Sequence, residues 1–146
     1  MKPRIVLDTN ILVSAALDQQ KDVTPPGRPS YCVRLVFRES VHLILSEILF
    51  AEYSDVLSRP HFQFTRGYVQ KFLHTLRRSA QFVRPSKIDP EVVFDLSDAP
   101  VLGTAVAGQA DFLVTGNRKH FPRSYKGVVV MTPAEMVDWA TVGKLL

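Results

Sequence analysis

The chain is nearly without cysteine: Cys32 is the only one in 146 residues. No intrachain disulfide can form, and no cysteine cage can hold a zinc ion. Long apolar runs are missing too. None approaches the roughly 20 residues needed to span a bilayer, so no membrane association is expected. The opening MKPRIVLDTN has only a short apolar run, ended by Asp8, and does not read as a signal peptide. A cytoplasmic protein is the expectation. The four histidines (His42, His61, His74, His120) are scattered and give no zinc-ligand spacing. There is no internal repeat, no low-complexity tract and no evident aromatic platform for stacking bases.

What is present has an ordinary globular balance, 46% apolar and 22% charged. The length fits one domain, residues 1–146, with a core large enough to need no staples. Eighteen Lys and Arg against fourteen Asp and Glu leave a net charge of +4. That suits a polyanionic partner without identifying one.

Apolar runs alternate between strand and helix patterns. RIVLD (4–8), VHLIL (41–45), 80–83, DFLVT (111–115) and GVVVM (127–131) read as strands. Residues 10–17, 31–38, 46–57 and 66–79 read as helices; in the last, Val69, Phe72, Leu73 and Leu76 form one stripe. Residues 18–30 are polar and rich in Pro and Gly, so a mobile loop is expected, placed to act as a flap beside the site. Ser97 is expected to cap a helix ending near Gly108, a glycine suited to a helix C-terminus. Thr132-Pro133-Ala134-Glu135 opens the last helix with a capping box. The alternation predicts an α/β fold: a mainly parallel sheet with helices on both faces, a three-layer α/β/α sandwich.

In such sheets ligands bind beyond the carboxyl ends of the strands. Asp8, Ser46, Glu47, Thr115 and Asn117 fall there, with Asp95 and Asp98 ahead of the fourth strand. Asp8 reads either as a helix cap or as a ligand. Glu47 reads as a first-turn acid favoured by the helix dipole. Asp98 is open between those two roles, and Asp95 reads as a capping or turn residue. Glu52 differs. It lies in mid-helix, and its neighbours three and four residues away are Ile48, Leu49 and Val56. A carboxylate set into a core-facing stripe needs a cation or a strong polar partner, either a structural arginine or a metal. Several gathered carboxylates repel one another unless a hard divalent ion joins them, and Mg²⁺ or Mn²⁺ prefers such oxygen ligands.

Four stretches appear in order: IVLDTNILVSA, LSEILFAEYSDVLSRP, DLSDAPVLGTAVAGQADFLVTGNRKHF and GVVVMTPAEMV. Together they resemble PIN-domain proteins, of the VapC-like toxin class of toxin–antitoxin ribonucleases. The resemblance implies a Mg²⁺- or Mn²⁺-dependent endoribonuclease that cleaves single-stranded RNA, a cognate antitoxin and a possible homodimer. Carried over by position, it implies Asp8, Glu52 and Asp98 as the catalytic, metal-holding acids. Thr9, Asn10, Asp95, Thr115 and Asn117 would support them. Where the family often has a further acid this chain has Asn117, and fewer negative ligands predict weaker metal binding. Arg118, Lys119 and His120 follow directly and are candidates for RNA phosphates. A degenerate PIN domain that binds RNA or protein without cutting is the competing expectation. A phosphatase-like use of Asp8 is disfavoured because Asn10 breaks the D-x-D pattern.

Overall fold

The computed structural model describes residues 2–143. A six-stranded sheet forms its centre: β1 (Arg4–Leu7), β2 (His42–Leu45), β3 (Ala80–Phe82), β4 (Phe112–Val114), β5 (Ser124–Tyr125) and β6 (Val128–Met131), in the spatial order β3-β2-β1-β4-β6-β5. Every pairing is parallel except β5 with β6. Ile5, Val6 and Leu7 in β1 are buried, as are Leu43, Ile44 and Leu45 in β2. Continuous apolar burial of this kind belongs to strands covered on both faces. The covering helices are α1 (Thr9–Gln20), α2 (Arg28–Phe37), α3 (Glu47–Leu57), α4 (Arg66–Ser79), α5 (Ala99–Ala107) and α6 (Pro133–Val142). The α/β/α architecture expected from the alternation is the one observed.

Several local readings need correction. Asp18 does not begin a loop: α1 runs to Gln20 and α2 begins at Arg28, so the connection is only residues 21–27. Asp18 ties that connection down, accepting from Gly27 N at 2.7 Å and Ser30 Oγ at 2.9 Å. It leaves the end of α1 opposite Asp8, so it is not a flap over the site. The cap of α5 is Asp98, not Ser97, which lies in the 3-10 turn Leu96–Asp98. Gly108 closes α5, but with φ −84° it needs no left-handed freedom; Gln109, at φ 52°, takes the left-handed position. Gly108 is needed for room: a Cβ there would lie 2.2 Å from Ile44 Cγ2. The expected capping box at Thr132 and Glu135 is present.

Strand order locates the ligand crevice. From β1 the chain moves through β2 to β3 on one side, then returns to place β4 on the other side of β1. The order reverses between β1 and β4, and a crevice opens at such a switch point beyond the carboxyl ends of the strands. Asp8 follows β1 and Thr115 follows β4.

Candidate active site

Asp8 caps α1 and is 7% exposed. Its Oδ1 accepts from Thr9 N at 2.9 Å, and its Oδ2 accepts from Thr115 Oγ1 at 2.7 Å and Asn10 Nδ2 at 3.3 Å. Asn10 is itself fixed, because its Oδ1 accepts from Gly116 N at 3.0 Å. The two strand ends are thereby locked around one carboxylate. Burial holds the Asp8 carboxyl above its ordinary value, opposed by the hydrogen bonds from Thr115, Thr9 and Asn10. Asp8 therefore caps α1 and at the same time lines the cleft, so the cap does not by itself exclude a role there.

Beside it is an open cavity of about 320 Å³, whose polar wall is Asp8, Thr9, Asn10, Ser14, Glu52, Asp98 and Asn117. Residues far apart in sequence thus share one cleft. Asp98 reaches it from the N-terminus of α5. Its Oδ2 is buried and accepts no hydrogen bond. His120 Nδ1 stands 3.5 Å away, within ion-pair range if protonated but too far for a strong hydrogen bond. Burial raises the Asp98 carboxyl, the charges of Asp8 and Asp95 raise it further, and His120 opposes them. A buried carboxylate oxygen without a hydrogen-bond partner, beside a second desolvated carboxylate, is chemically suited to a cation.

Glu52 reaches the cleft by a different route from the one its spacing predicted. The buried face of α3 is Leu49, Tyr53 and Leu57. Glu52 lies beside that face and is exposed, next to Ile48, which is 54% exposed. Val56 lines the cleft and Ile48 faces solvent, so neither marks the core side of the helix. No buried charge demands a cation at Glu52. What holds it in the site is the Thr9 hydroxyl, which donates to Glu52 Oε2. Tyr53, one residue on, is fully buried and donates its hydroxyl to the Leu7 carbonyl, fixing α3 against the tip of β1.

The other candidates divide. Asp95 caps the turn before α5, accepting from Ser97 N at 3.0 Å, and that bond lowers its carboxyl; it does not line the cavity. Asn117 lines the cavity and donates its backbone N–H to Thr115 Oγ1 at 3.0 Å. Ser46 caps α3 and shares a 2.7 Å hydrogen bond with Thr104, away from the cleft. Glu47 pairs with Arg77 at 2.6 Å on the outer surface, as the dipole reading of a first-turn acid allows. Arg118 stands 3.5 Å from Glu135, His120 stacks on Phe94, and Lys119 is exposed. Ser14 was missed. It stands four residues after Asn10, and that helical spacing was the available signal.

Among the described residues, no three acidic, histidine or cysteine side chains stand close enough to enclose a metal ion by themselves. The donors present fit a more open arrangement. Mg²⁺ is commonly held by one or two carboxylates, keeping several waters. Asp8 and the free Oδ2 of Asp98 suit that pattern, with Glu52 across the cleft. No helix of the described residues is long and apolar enough to cross a membrane. No curated protein shows significant similarity to the chain. A PIN-domain family model matches residues 4–119, a span that runs from β1 through every residue lining the cleft, and the chain belongs to the PIN-domain family.

Proposed function

We propose that the protein is a Mg²⁺- or Mn²⁺-dependent endoribonuclease acting on single-stranded RNA, with Asp8, Glu52 and Asp98 as its catalytic acids. The PIN domain is a nuclease-type fold. The observation that carries the reading further is the unsatisfied Oδ2 of Asp98 in the same cleft as the buried carboxylate of Asp8. Asp8 and Asp98 would hold the ion, with Glu52 and Asn117 completing its surroundings directly or through water. Such an ion would neutralise phosphate charge and activate a water as nucleophile. The chain's own contribution is orientation. Thr115, Asn10 and the Thr9 amide fix both Asp8 oxygens, and the Thr9 hydroxyl fixes Glu52. His120, near Asp98, and the exposed Lys119 would hold phosphates flanking the scissile bond.

The four motif stretches further support a VapC-like toxin of a type II toxin–antitoxin pair. Its partners would be a cognate antitoxin and a second copy of the chain. Purified protein is expected to cleave unstructured RNA in Mn²⁺ or Mg²⁺ and to stop in EDTA. Asp8→Asn is expected to abolish cleavage without lowering the melting temperature. Full cleavage by Asp8→Asn overturns the proposal. A second reading, a PIN domain that binds RNA or protein without cutting, is favoured by Asn117 and by the lack, among the described residues, of a closed three-acid cluster. RNA that binds wild-type protein in Mn²⁺ but stays intact would select it.

A further inference from the structure

At the far end of α1, a second cavity of about 360 Å³ opens among Gln19, Gln20, Gln63, Phe64, Thr65 and Tyr68. Its wall combines two aromatic rings with three primary amides and contains no charged side chain. The Phe64 and Tyr68 centroids are 5.7 Å apart, and Phe62 stacks on Phe64 at 5.6 Å with 15° between the planes. The amides are only partly committed. Gln19 Oε1 accepts from the Tyr68 hydroxyl at 2.7 Å, which leaves the amide N–H groups. Gln20 Nε2 donates to the Phe62 carbonyl at 3.0 Å, which leaves Oε1. The Gln63 side chain has no hydrogen-bond partner among the described residues. Its backbone is left-handed, at φ 59°, a conformation that glutamine adopts rarely and at an energetic cost.

We infer that this cavity is a nucleobase subsite that prefers adenine, engaging RNA whose scissile phosphate lies in the Asp8 cleft. The identity of the polymer rests on the ribonuclease reading above. Unstacked RNA bases are bound by stacking on aromatic rings and by hydrogen bonds to their edges. On the edge that bases present in a duplex major groove, amide side chains read adenine through its N6 and N7, Arg or Lys reads guanine, and carboxylates read cytosine; an unstacked adenine offers the same N6 and N7 edge. Of these three chemistries the wall offers only the amide; the hydroxyls of Thr65 and Tyr68 add contacts that do not discriminate between bases. The two sites are joined along the seam where α1 packs on α3. Val13 and Val56 wall the Asp8 cleft. Gln20 is two helical turns beyond Val13 on the same face, about 10 Å along the axis. There it holds the turn that follows α3. Arg66 lines an adjoining cavity with Phe64, and Lys71 lines another with Gln19 and Tyr68. Those cations flank the subsite where phosphates would pass.

The test is fluorescence anisotropy of short labelled oligo(A), oligo(C) and oligo(G) RNAs in EDTA, where cleavage is not needed. Wild-type protein is expected to bind oligo(A) about tenfold tighter than oligo(C), within the discrimination typical of a paired amide contact. Gln63→Gly suits the left-handed backbone and deletes the amide. Combined with Gln20→Ala, which also gives up the bond to the Phe62 carbonyl and so lowers the melting temperature slightly, it is expected to bring oligo(A) and oligo(C) to equal affinity while the far-UV spectrum is unchanged. Equal affinities in the wild type overturn the subsite and leave the cleavage reading standing. A preference for oligo(A) that survives both substitutions also overturns it. A preference in EDTA from a protein that never cleaves in Mn²⁺ upholds the subsite and removes the nuclease reading. A cavity that binds no RNA but is covered by a co-purified polypeptide is a protein-docking surface, which overturns the proposal.

Discussion

Thr115 shows how one buried hydroxyl fixes a carboxylate in the cleft. It is fully buried, donates to Asp8 Oδ2 at 2.7 Å and accepts from Asn117 N at 3.0 Å. Thr115→Val keeps the shape and removes both bonds, so Asp8 loses the strongest constraint on its orientation. Cation affinity or cleavage is expected to fall by about 10–100-fold, the usual cost of losing an outer partner of a metal-holding group. Titration of metal against intrinsic fluorescence or activity checks this, and an unchanged affinity sinks it. Cys32 makes an opposite case. Burial pushes its thiol up to about 12 and leaves it no exposed surface. The reactive species is the thiolate, so Cys32 is expected to resist maleimide labelling in the native protein and to label fully in denaturant. Prompt native labelling, followed by mass spectrometry, would show that α2 opens readily.

At the scale of elements, packing against a neighbour decides what local pattern leaves open. Gly108→Ala places a methyl 2.2 Å from Ile44 Cγ2 on β2. Overpacking of this kind costs about 1–3 kcal/mol. Ile44→Ala is destabilising alone through the cavity it creates, yet the pair is expected to be less damaging than the sum. A double-mutant cycle by urea denaturation reads that coupling, and strict additivity would show that the contact does not matter. The same interplay explains what was legible in the sequence. Apolar runs marked β1, β2, β4 and β6, because a strand buried on both faces leaves a continuous signal. The Arg66–Ser79 helix was legible to the residue, since its stripe faces the core and its outer side is charged. β5, two residues long and held by β6 alone, carried no pattern of its own. Glu52 was found for the wrong reason. Helical spacing gives its neighbours on α3, but only the docking of Tyr53 against β1 decides which side of the helix is inside. The aromatic cavity was invisible because His61, Phe62, Phe64 and Tyr68 meet only once the turn after α3 folds onto α4.

At the scale of the whole molecule, two chain segments 107 residues apart, Asp8 and Thr115, meet because the sheet order reverses between β1 and β4. Folding therefore assembles the cleft at the cost of desolvating carboxylates, and that cost depends on pH. Asp8 and Asp98 both sit above their ordinary value of 3.8, chiefly through burial. The folded state thus binds protons at these two groups more tightly than the unfolded chain does. Their contribution to stability is fully present below the unfolded value and is lost as pH rises through the folded one. Glu47, Asp95 and Glu135 are shifted downward and act in the opposite direction, so the informative quantity is a difference between proteins. The melting temperature of Asp8→Asn minus that of wild type, in EDTA, is expected to grow from pH 4 to pH 7. Asparagine keeps the shape of the cap and carries no charge to desolvate. Mn²⁺ should reverse the order, because a ligand present at 100 times its dissociation constant stabilises the state that binds it by about 2.7 kcal/mol. On the proposed reading Asp8 and Asp98 both offer anionic oxygens to the ion, and Asp8→Asn keeps only those of Asp98. Melting curves with and without Mn²⁺ at pH 7 therefore separate a cation site from a pair of buried acids. A wild-type melting temperature unmoved by Mn²⁺ would leave the folded cleft intact and remove the metal from it.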